Sequence, residues 1–458
     1  MIENDAFKLL LINLFHLNPD DIANILCTTF NKMMVLLVTL ADKHQACPYC
    51  GFTAPKIKEY VTKEITHSAL TTQKCIIKYR ARRYKCPCCG KTYYEFNPFV
   101  FKSQKISILT VHNILKDLKD FNETFTSVAR RYHVSPTSVS TIFDNHVDIG
   151  RNPLPEIINF DEVYAFKSEK SKYVCVLLDF KKQIPVDVLP NRKKEYLLNY
   201  FQKIPLEERK KVKYACSDMY EVYRDVVRKV FPCSCMLLDY FHLSQDFHRK
   251  MNEVRIKVMK GYKDNKASDE YYLLKKFNWL VFKNPEDEDK YGRLFDVERE
   301  RKYNSHFKSY MNYYDLRKKL LDINNDLTIC YSLKLELVDF YSKSTIDNAK
   351  VNLENLIRSC IDTNIDEMIA FSNNLINWKQ EIINSFTIVG TEYKVEADKG
   401  QVVVCNKKVN NAIIENRNKI IKCIKNNANG YTNWSRFRNR VMYVLDPNTT
   451  FSLEPREK

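Results

Sequence analysis

The apolar positions of this chain change period several times. Ile106, Leu109, Val111, Ile114, Leu115 and Leu118 recur at the three-to-four spacing of one helix face. The stretch 124–143 that follows predicts two short helices meeting at a turn. Ala129 sits where the helices cross closely, Val134 fills the turn, and Ser135 caps the second helix with Pro136 at its first position. Val139 and Ile142 point inward, which leaves Thr137, Ser138, Ser140 and Thr141 on the outer face. After Pro153 and Pro155 the pattern becomes one of short apolar runs. Residues 157–165, 173–180, 184–189, 212–217 and 235–238 read as strands, with helices over 193–203 and 219–230. Strands alternating with helices predict an α/β core. From about 243 to 395 helical periodicity returns, which predicts a mostly helical insertion with an exposed acidic loop at 285–289. Val409, Ile413, Ile420 and Ile424 then mark an amphipathic helix. Upstream of all this, 60–66 and 74–85 read as strands.

Two Cys-Pro-x-Cys-Gly knuckles flank those upstream strands: Cys47 and Cys50, then Cys86 and Cys89, with 35 residues between the pairs. A two-residue gap lets both sulfurs face one metal, and the glycine after each pair permits the tight turn. Four thiolates fill a tetrahedral structural zinc site, so one zinc is expected to hold fold rather than perform chemistry. Cys88 is surplus and could replace Cys86 or Cys89, although the spacing favours the outer two.

Composition narrows the partners. The 458 residues carry 73 Lys+Arg against 56 Asp+Glu, a net charge of +17. That surplus suits a polyanion, nucleic acid first among them, with a merely soluble basic protein as the plainer reading. The absence of an apolar run of about 18 residues argues against a spanning helix. An N-terminus without a basic-then-apolar pattern argues against a signal peptide. The 15 scattered cysteines then suit a reducing cytosol. No Gly-rich phosphate loop can be written, which disfavours P-loop ATPases and standard dinucleotide folds. On the second knuckle Lys78, Arg80, Arg82, Arg83, Lys85 and Lys91 alternate with Tyr79, Tyr84, Tyr93 and Tyr94, and no acid falls between 78 and 94. Arg80, Arg82, Arg83 and Lys85 are candidate phosphate contacts. Thr137, Ser138 and Thr141 are candidates for base edges or phosphates.

Acids that could carry chemistry sit at strand ends. Asp is depleted within strands, so Asp161 inside one and Asp218 and Asp239 just past two others need a reason. Asp179 is a weaker candidate, read as a turn residue. The segment 401–440 holds nine Lys+Arg and one acid, Glu415, with Lys419 and Lys422 one and two turns away. A lone carboxylate among so many cations could hold a metal beside bound phosphate, or form a surface ion pair with Lys419.

These residues give the chain a resemblance. The doubled knuckle, the string from Asn159 to Glu162, the string from Ser217 to Tyr220, Asp239-Tyr240-Phe241-His242, and Ile414-Glu415-Asn416-Arg417-Asn418-Lys419 resemble the ISL3 family of insertion-sequence transposases, over nearly the whole chain. Asn411 and Asn416 depart from it, standing where the family usually carries glycine. The resemblance implies a DDE enzyme with a ribonuclease-H-like catalytic fold. It implies Asp161, Asp218 and Glu415 as the catalytic triad holding two Mg²⁺, with His242 against the scissile phosphate or steadying the acids. It implies hydrolysis at element ends and attack of the freed 3′-OH on target DNA. The alternatives are a zinc-ribbon, helix-turn-helix regulator derived from a transposase and catalytically inactive, or a structure-specific nuclease of the same fold.

The expected architecture is multidomain α+β. It comprises an N-terminal segment with a zinc ribbon (1–100) and a helix-turn-helix (101–150). The catalytic core follows in two parts (155–242 and 396–446), separated by the helical insertion (243–395). The insertion is expected to bind DNA or to dimerise. The expected partner is double-stranded DNA, gripped by a homodimer or higher synaptic assembly, with no membrane, in a bacterial cytoplasm and nucleoid-associated when bound.

Overall fold

The computed structural model describes residues 2–43, 46–101, 104–166, 172–395 and 402–456. Residues 396–401, where the second part of the expected catalytic core would begin, lie outside the described residues. The N-terminal unit opens with α1 (Ile2–Leu14) laid on a sheet of β1 (Ile22–Phe30), β2 (Met33–Leu40), β3 (Lys56–Thr66), β4 (Cys75–Lys85) and β5 (Thr92–Tyr94). The order is β1-β2-β4-β3, with β5 also on β4. Alternation along β4 buries Cys75, Ile77, Tyr79 and Ala81 against Leu36, Val38, the α1 residues Leu11 and Ile12, and Phe15 just past that helix.

Three helices follow: α2 (Ile108–Asp117), α3 (Phe125–Arg131) and α4 (Pro136–His146). The predicted punctuation of α4 is present: Ser135 caps it through the Ser138 N–H with Pro136 in the first turn. The structure adds a capping box on α3 from Thr124 and Ser127. Val139 and Ile142 are buried with Val111, Leu115 and Val128. This trihelical core is shared with a distant helix. Tyr443 packs inside it and donates its hydroxyl to Leu115 O at 3.0 Å, while the buried Arg440 donates to Asp120 O and Glu123 O, each at 2.8 Å.

The central sheet has the order β10-β9-β6-β7-β8. Its strands are β6 (Ile157–Val163), β7 (Val174–Asp179), β8 (Pro185–Leu189), β9 (Tyr214–Ser217) and β10 (Cys235–Leu238). β6, β7 and β8 are antiparallel neighbours, whereas β6, β9 and β10 run parallel. The helices between are α5 (Lys194–Gln202), α6 (Leu206–Arg209) and α7 (Glu221–Val230). Strands covered on both faces read as continuous apolar runs, and the antiparallel β7 does so over Val174–Leu178, buried throughout. On one face Ile158, Phe160, Cys175 and Leu177 meet α5 and α7. On the other, Val163, Val176 and Val188 meet the C-terminal helices.

Past β10 come the long α8 (Tyr240–Gly261) and α9 (Asp269–Lys276). Two small hairpins follow, β11 (Glu288–Asp289) with β12 (Gly292–Arg293) and β13 (Lys302–Asn304) with β14 (Ser309–Met311). They are not foreseen by the helical periodicity, and the acidic run at 285–289 leads into the first. Then come α10 (Tyr313–Leu321), α11 (Asn325–Lys343), α12 (Ala349–Asp362), α13 (Asp366–Asn377) and α14 (Lys379–Asn384). β15 (Ile388–Val395) and β16 (Val402–Lys408) form an antiparallel pair ahead of α15 (Ala412–Asn427) and α16 (Trp434–Leu445).

The predicted stripe on α15 differs by a rotation. Val409 precedes the helix, and the buried face is Ile414, Asn418, Ile421 and Ile424. The polar Asn418 on an otherwise apolar face hid the true phase. Among the described residues no helix is long and apolar enough to cross a membrane.

Candidate functional site

Strand register assembles the acids. β9 pairs with β6 through Asn159↔Cys216, and with β10 through Ser217↔Leu238. Continued by two residues and one residue respectively, these registers bring Asp161, Asp218 and Asp239 into one row across three parallel strands. Neighbouring strands lie about 4.8 Å apart, which sets the backbone spacing of the row; of its acids only Asp239 joins Glu415 and His242 in a group of ligating atoms within 4.8 Å, and Asp161 and Asp218 fall outside it. Asp161 points away from the Ile158 and Phe160 face, toward α15. The N-cap position of α7 is Tyr220, so Asp218 is not its cap. Asp239 does start α8, but its side chain makes no capping bond.

Glu415 arrives from α15 in its first turn. Three asparagines fix that helix against the row. Asn159 donates from Nδ2 to Asn410 O at 2.8 Å and to Asn411 Oδ1 at 2.6 Å, and Asn411 Nδ2 donates to Phe160 O at 3.3 Å. The Asn411 N–H donates to Asp239 Oδ1 at 3.2 Å. Asn418 Nδ2 donates to Asp161 Oδ2 at 2.8 Å, and the Glu162 N–H to Asp161 Oδ1 at 2.7 Å. A carboxylate against helix N-termini is favoured by the unsatisfied N–H groups there, and Asp239 meets two of them. One ligating atom each of Asp239, His242 and Glu415 lies within 4.8 Å of the others. Asp179, by contrast, accepts from the Lys181 and Lys182 N–H groups and is a turn residue.

Burial sets the charge state. It pushes the Asp161 carboxyl up to about 7, helped by the neighbouring Asp218 charge and opposed by the Glu162 amide and His242. Burial likewise pushes Asp218 up to about 6, with Glu162 and Asp239 adding and His242 and Arg192 opposing. Asp239 is also raised, by burial first. Carboxylates crowded and desolvated in this way need cations to ionise together. Asp218 Oδ1, Asp239 Oδ2 and His242 Nε2 are buried with no hydrogen-bond partner. Hard carboxylate oxygens with orphaned lone pairs fit a divalent metal. A cleft of about 630 Å³ opens beside Asp218 and His242, and one of about 360 Å³ beside Asp239 and Glu415.

A second cluster lies in the N-terminal unit. Ligating atoms of Cys47, Cys50, Cys86 and Cys89 fall within 4.8 Å of one another. Cys47 Sγ is 3.7 Å from Cys89 Sγ, and Cys50 Sγ 3.5 Å from Cys86 Sγ. Tetrahedral Zn–S bonds of about 2.3 Å place sulfurs roughly 3.8 Å apart, which these distances match. Gly51 and Gly90 take φ of +73° and +70° and close the turns onto Cys47 O and Cys86 O. Cys88 is exposed and outside the cluster.

With this geometry in hand, the sequence profile of the ISL3 family of DDE transposases matches residues 158–397, more than half of the chain. The chain belongs to that transposase family. It is also similar to the transposase for insertion sequence element IS1001 of Bordetella parapertussis. The two are 19% identical over 408 residues, covering 89% of this chain and 90% of the relative. The profile spans Asp161, Asp218, Asp239 and His242 and stops before Glu415.

The transposase distributes its candidate DNA-contacting cations unevenly. Arg82 turns inward, donating to Glu95 Oε2 at 2.8 Å and to Ala41 O and Leu40 O. Glu95 stands one residue past the acid-free run, and β5 folds it back beside Arg82. Antiparallel pairing also delivers acids from β3. Glu59 meets Arg83 at 2.7 Å and Glu64 meets Lys78 at 2.7 Å. Arg80 instead lies over the Tyr60 ring, 4.9 Å from its centroid, and Lys85 is exposed. Thr137 and Thr141 are exposed on α4 and Ser138 half-buried. Lys422 is exposed on α15, and Lys419 reaches Asn416 Oδ1 at 3.4 Å rather than Glu415.

Sequence reasoning assigned no role to Asp239, Asn418 or Arg192. The signal for Asp239 was its place after an apolar strand, the same as that of Asp218. Arg192 pairs with Glu162 and lies over the Tyr173 and Tyr220 rings, 4.7 Å from each centroid.

Proposed function

We propose that this chain is a DDE transposase. It binds the terminal inverted repeats of an insertion sequence, cleaves at the element ends, and joins the 3′-OH to target DNA by Mg²⁺-dependent phosphoryl transfer. The observation that carries this reading is the row of Asp161, Asp218 and Asp239 with Glu415 facing it from α15. The sheet order β10-β9-β6-β7-β8, antiparallel on one side of β6 and parallel on the other, supports a ribonuclease-H-like core. That core is assembled from 155–242 and 396–446, with 243–395 inserted. The zinc ribbon within 1–100 and the helix-turn-helix of 101–150 supply DNA contacts.

Asp161, Asp218 and Glu415 are the catalytic acids, with His242 beside them. Metal ions held there supply activation of the attacking water or 3′-OH and stabilisation of the leaving oxygen. Asn418 and the Glu162 amide orient Asp161, the Asn159–Asn411 pair fixes the start of the Glu415 helix, and the Arg192–Glu162 pair leaves Asp218 with a cation nearby. One zinc on Cys47, Cys50, Cys86 and Cys89 is structural. Arg80, Arg83 and Lys85 on β4, Thr137, Ser138 and Thr141 on α4, and Lys419 and Lys422 on α15 face DNA phosphates and bases. Synapsis of two ends requires a homodimer or higher assembly on DNA.

The test incubates purified protein with DNA carrying the element ends and Mg²⁺. Nicks exposing 3′-OH groups at the ends, followed by joined products, are expected. End binding with no cleavage, unchanged by Glu415→Gln, identifies a regulator instead. Cleavage of junction DNA regardless of end sequence identifies a structure-specific nuclease. Binding itself has a salt signature. Arg80→Ala and Lys85→Ala are each expected to lower the slope of log affinity against log salt by about 1. Arg82→Ala is expected to lower thermal stability, because Glu95 is buried and loses its partner. Fluorescence anisotropy across a salt series and a melting curve check both.

A further inference from the structure

We infer that Asp239 and His242 join Glu415 as ligands of a nitrogen-containing divalent-cation position, distinct from Asp161, that takes a first-row transition cation such as Mn²⁺. This deepens the proposed function, on which it rests, by naming two further ligands at its site.

The carboxylates of the row are not equivalent. Both Asp161 oxygens are taken by hydrogen bonds from within the chain, one from the Glu162 amide and one from Asn418. Asp239 is 3% exposed, and only its Oδ1 is engaged, by the Asn411 amide. Its Oδ2 is buried without a partner and sits 3.9 Å from His242 Nε2, itself buried without a partner. A hydrogen bond between them would close that gap to about 2.9 Å; at 3.9 Å none joins them, so both lone pairs are left available to one ion. Glu415 completes the group, its carboxylate within 4.8 Å of both.

Chain geometry enforces the arrangement. Asp239 and His242 lie three residues apart across the first turn of α8, so their side chains share one face. Asn411 ties that turn to the start of the helix bearing Glu415. Two carboxylates and one imidazole form a mixed oxygen and nitrogen donor set. Imidazole raises affinity along the first-row series, whereas Mg²⁺ prefers oxygen and water alone.

The experiment needs no DNA. Full-length protein retaining its zinc is dialysed free of other divalent ions and titrated with Mn²⁺, with binding followed by electron paramagnetic resonance. Spin-echo modulation reports whether a nitrogen lies on the bound ion. The zinc cluster is all sulfur and contributes no nitrogen of its own. In the wild type, nitrogen modulation is expected; His242→Gln abolishes it. Asp239→Asn raises the Mn²⁺ Kd about tenfold or more. Circular dichroism and melting curves verify that both variants are folded, and Glu415→Gln, at a half-buried position, serves as the second affinity variant should Asp239→Asn not fold. Wild-type Mn²⁺ without nitrogen coupling, coupling that survives His242→Gln, or unchanged affinity in the carboxylate variants overturns the assignment. A nitrogen-coupled Mn²⁺ site in a protein that never cuts element ends upholds the site and defeats the transposition reading instead.

Discussion

Asp161→Asn is expected to abolish end cleavage and, in protein free of Mg²⁺ and Mn²⁺, to raise its melting temperature at pH 8. The loss of activity is at least about a thousandfold, the scale of removing a group that stabilises transition-state charge. The gain in stability follows from burial. Asp161 is 8% exposed and its carboxyl is pushed up to about 7, against about 4 in an unfolded chain. A raised folded pKa means the folded state holds its proton better. That advantage is fully present below about pH 4 and is lost as pH rises through about 7. Asparagine keeps the neutral form at every pH. The variant therefore gains little near pH 4, progressively more up to pH 7, and a constant increment above it, on the order of a few kcal/mol at most. The amide is also accommodated. Asn418 Oδ1 is buried and unpartnered, so an amide flip of Asn418 lets it accept from the new Nδ2. Mg²⁺ should then raise the wild-type melting temperature more than that of the variant. Scanning calorimetry at pH 4.5 and pH 8, beside a cleavage assay, reads all of this. A variant no more stable than wild type at pH 8 would show that Asp161 carries no burial cost.

Much of this arrangement is written locally and is therefore legible. The helix-turn-helix announces itself because each signal, Ser135 as cap, Pro136 in the first turn and Val139 inward, concerns residues a few positions apart. The strands of the central sheet announce themselves as apolar runs, and Asp161 and Asp218 by contrast with them. What stayed hidden depends on partners far along the chain. Arg82 reads as a free cation until β5 folds Glu95 beside it. Arg83 and Lys78 read likewise until β3 supplies Glu59 and Glu64 across the ladder. The phase of α15 was misjudged because its buried face contains Asn418, whose use is a carboxylate 257 residues away. The joining of the helix-turn-helix to the C-terminal helix rests on Tyr443 and Arg440, more than 300 residues from the backbone carbonyls they hold. No period in the sequence encodes such contacts.

Cys86→Ser is expected to cost the N-terminal unit its zinc and DNA its grip, leaving the central sheet folded. Metal analysis of reduced wild-type protein should find near one zinc per chain, and the variant close to none. Structural zinc adds binding free energy directly to folding, about 10–16 kcal/mol in isolated fingers, so its loss is not a local matter. Here an apolar layer of Leu36, Ile77, Ala81 and Phe15 remains beneath the sheet, which limits the collapse to the knuckle end. That end carries the cations. β4 runs directly into Cys86, and Lys85 precedes it. Tyr84 and Tyr93 pack on the cysteines, so their mutual ring contact, 5.6 Å between centroids, also loosens. A separate, lower melting transition should appear in calorimetry, and the salt slope of DNA binding should fall as contacts from Arg80 and Lys85 are lost, by about 0.9 for each. Cys88→Ser is the control. That thiol is exposed and outside the four-sulfur group, so zinc content and melting should stay at wild-type values. Full zinc occupancy in Cys86→Ser, or its loss in Cys88→Ser, would exchange the two cysteines as ligands. Absence of zinc from wild-type protein would leave the paired knuckles as turns whose sulfurs bind nothing.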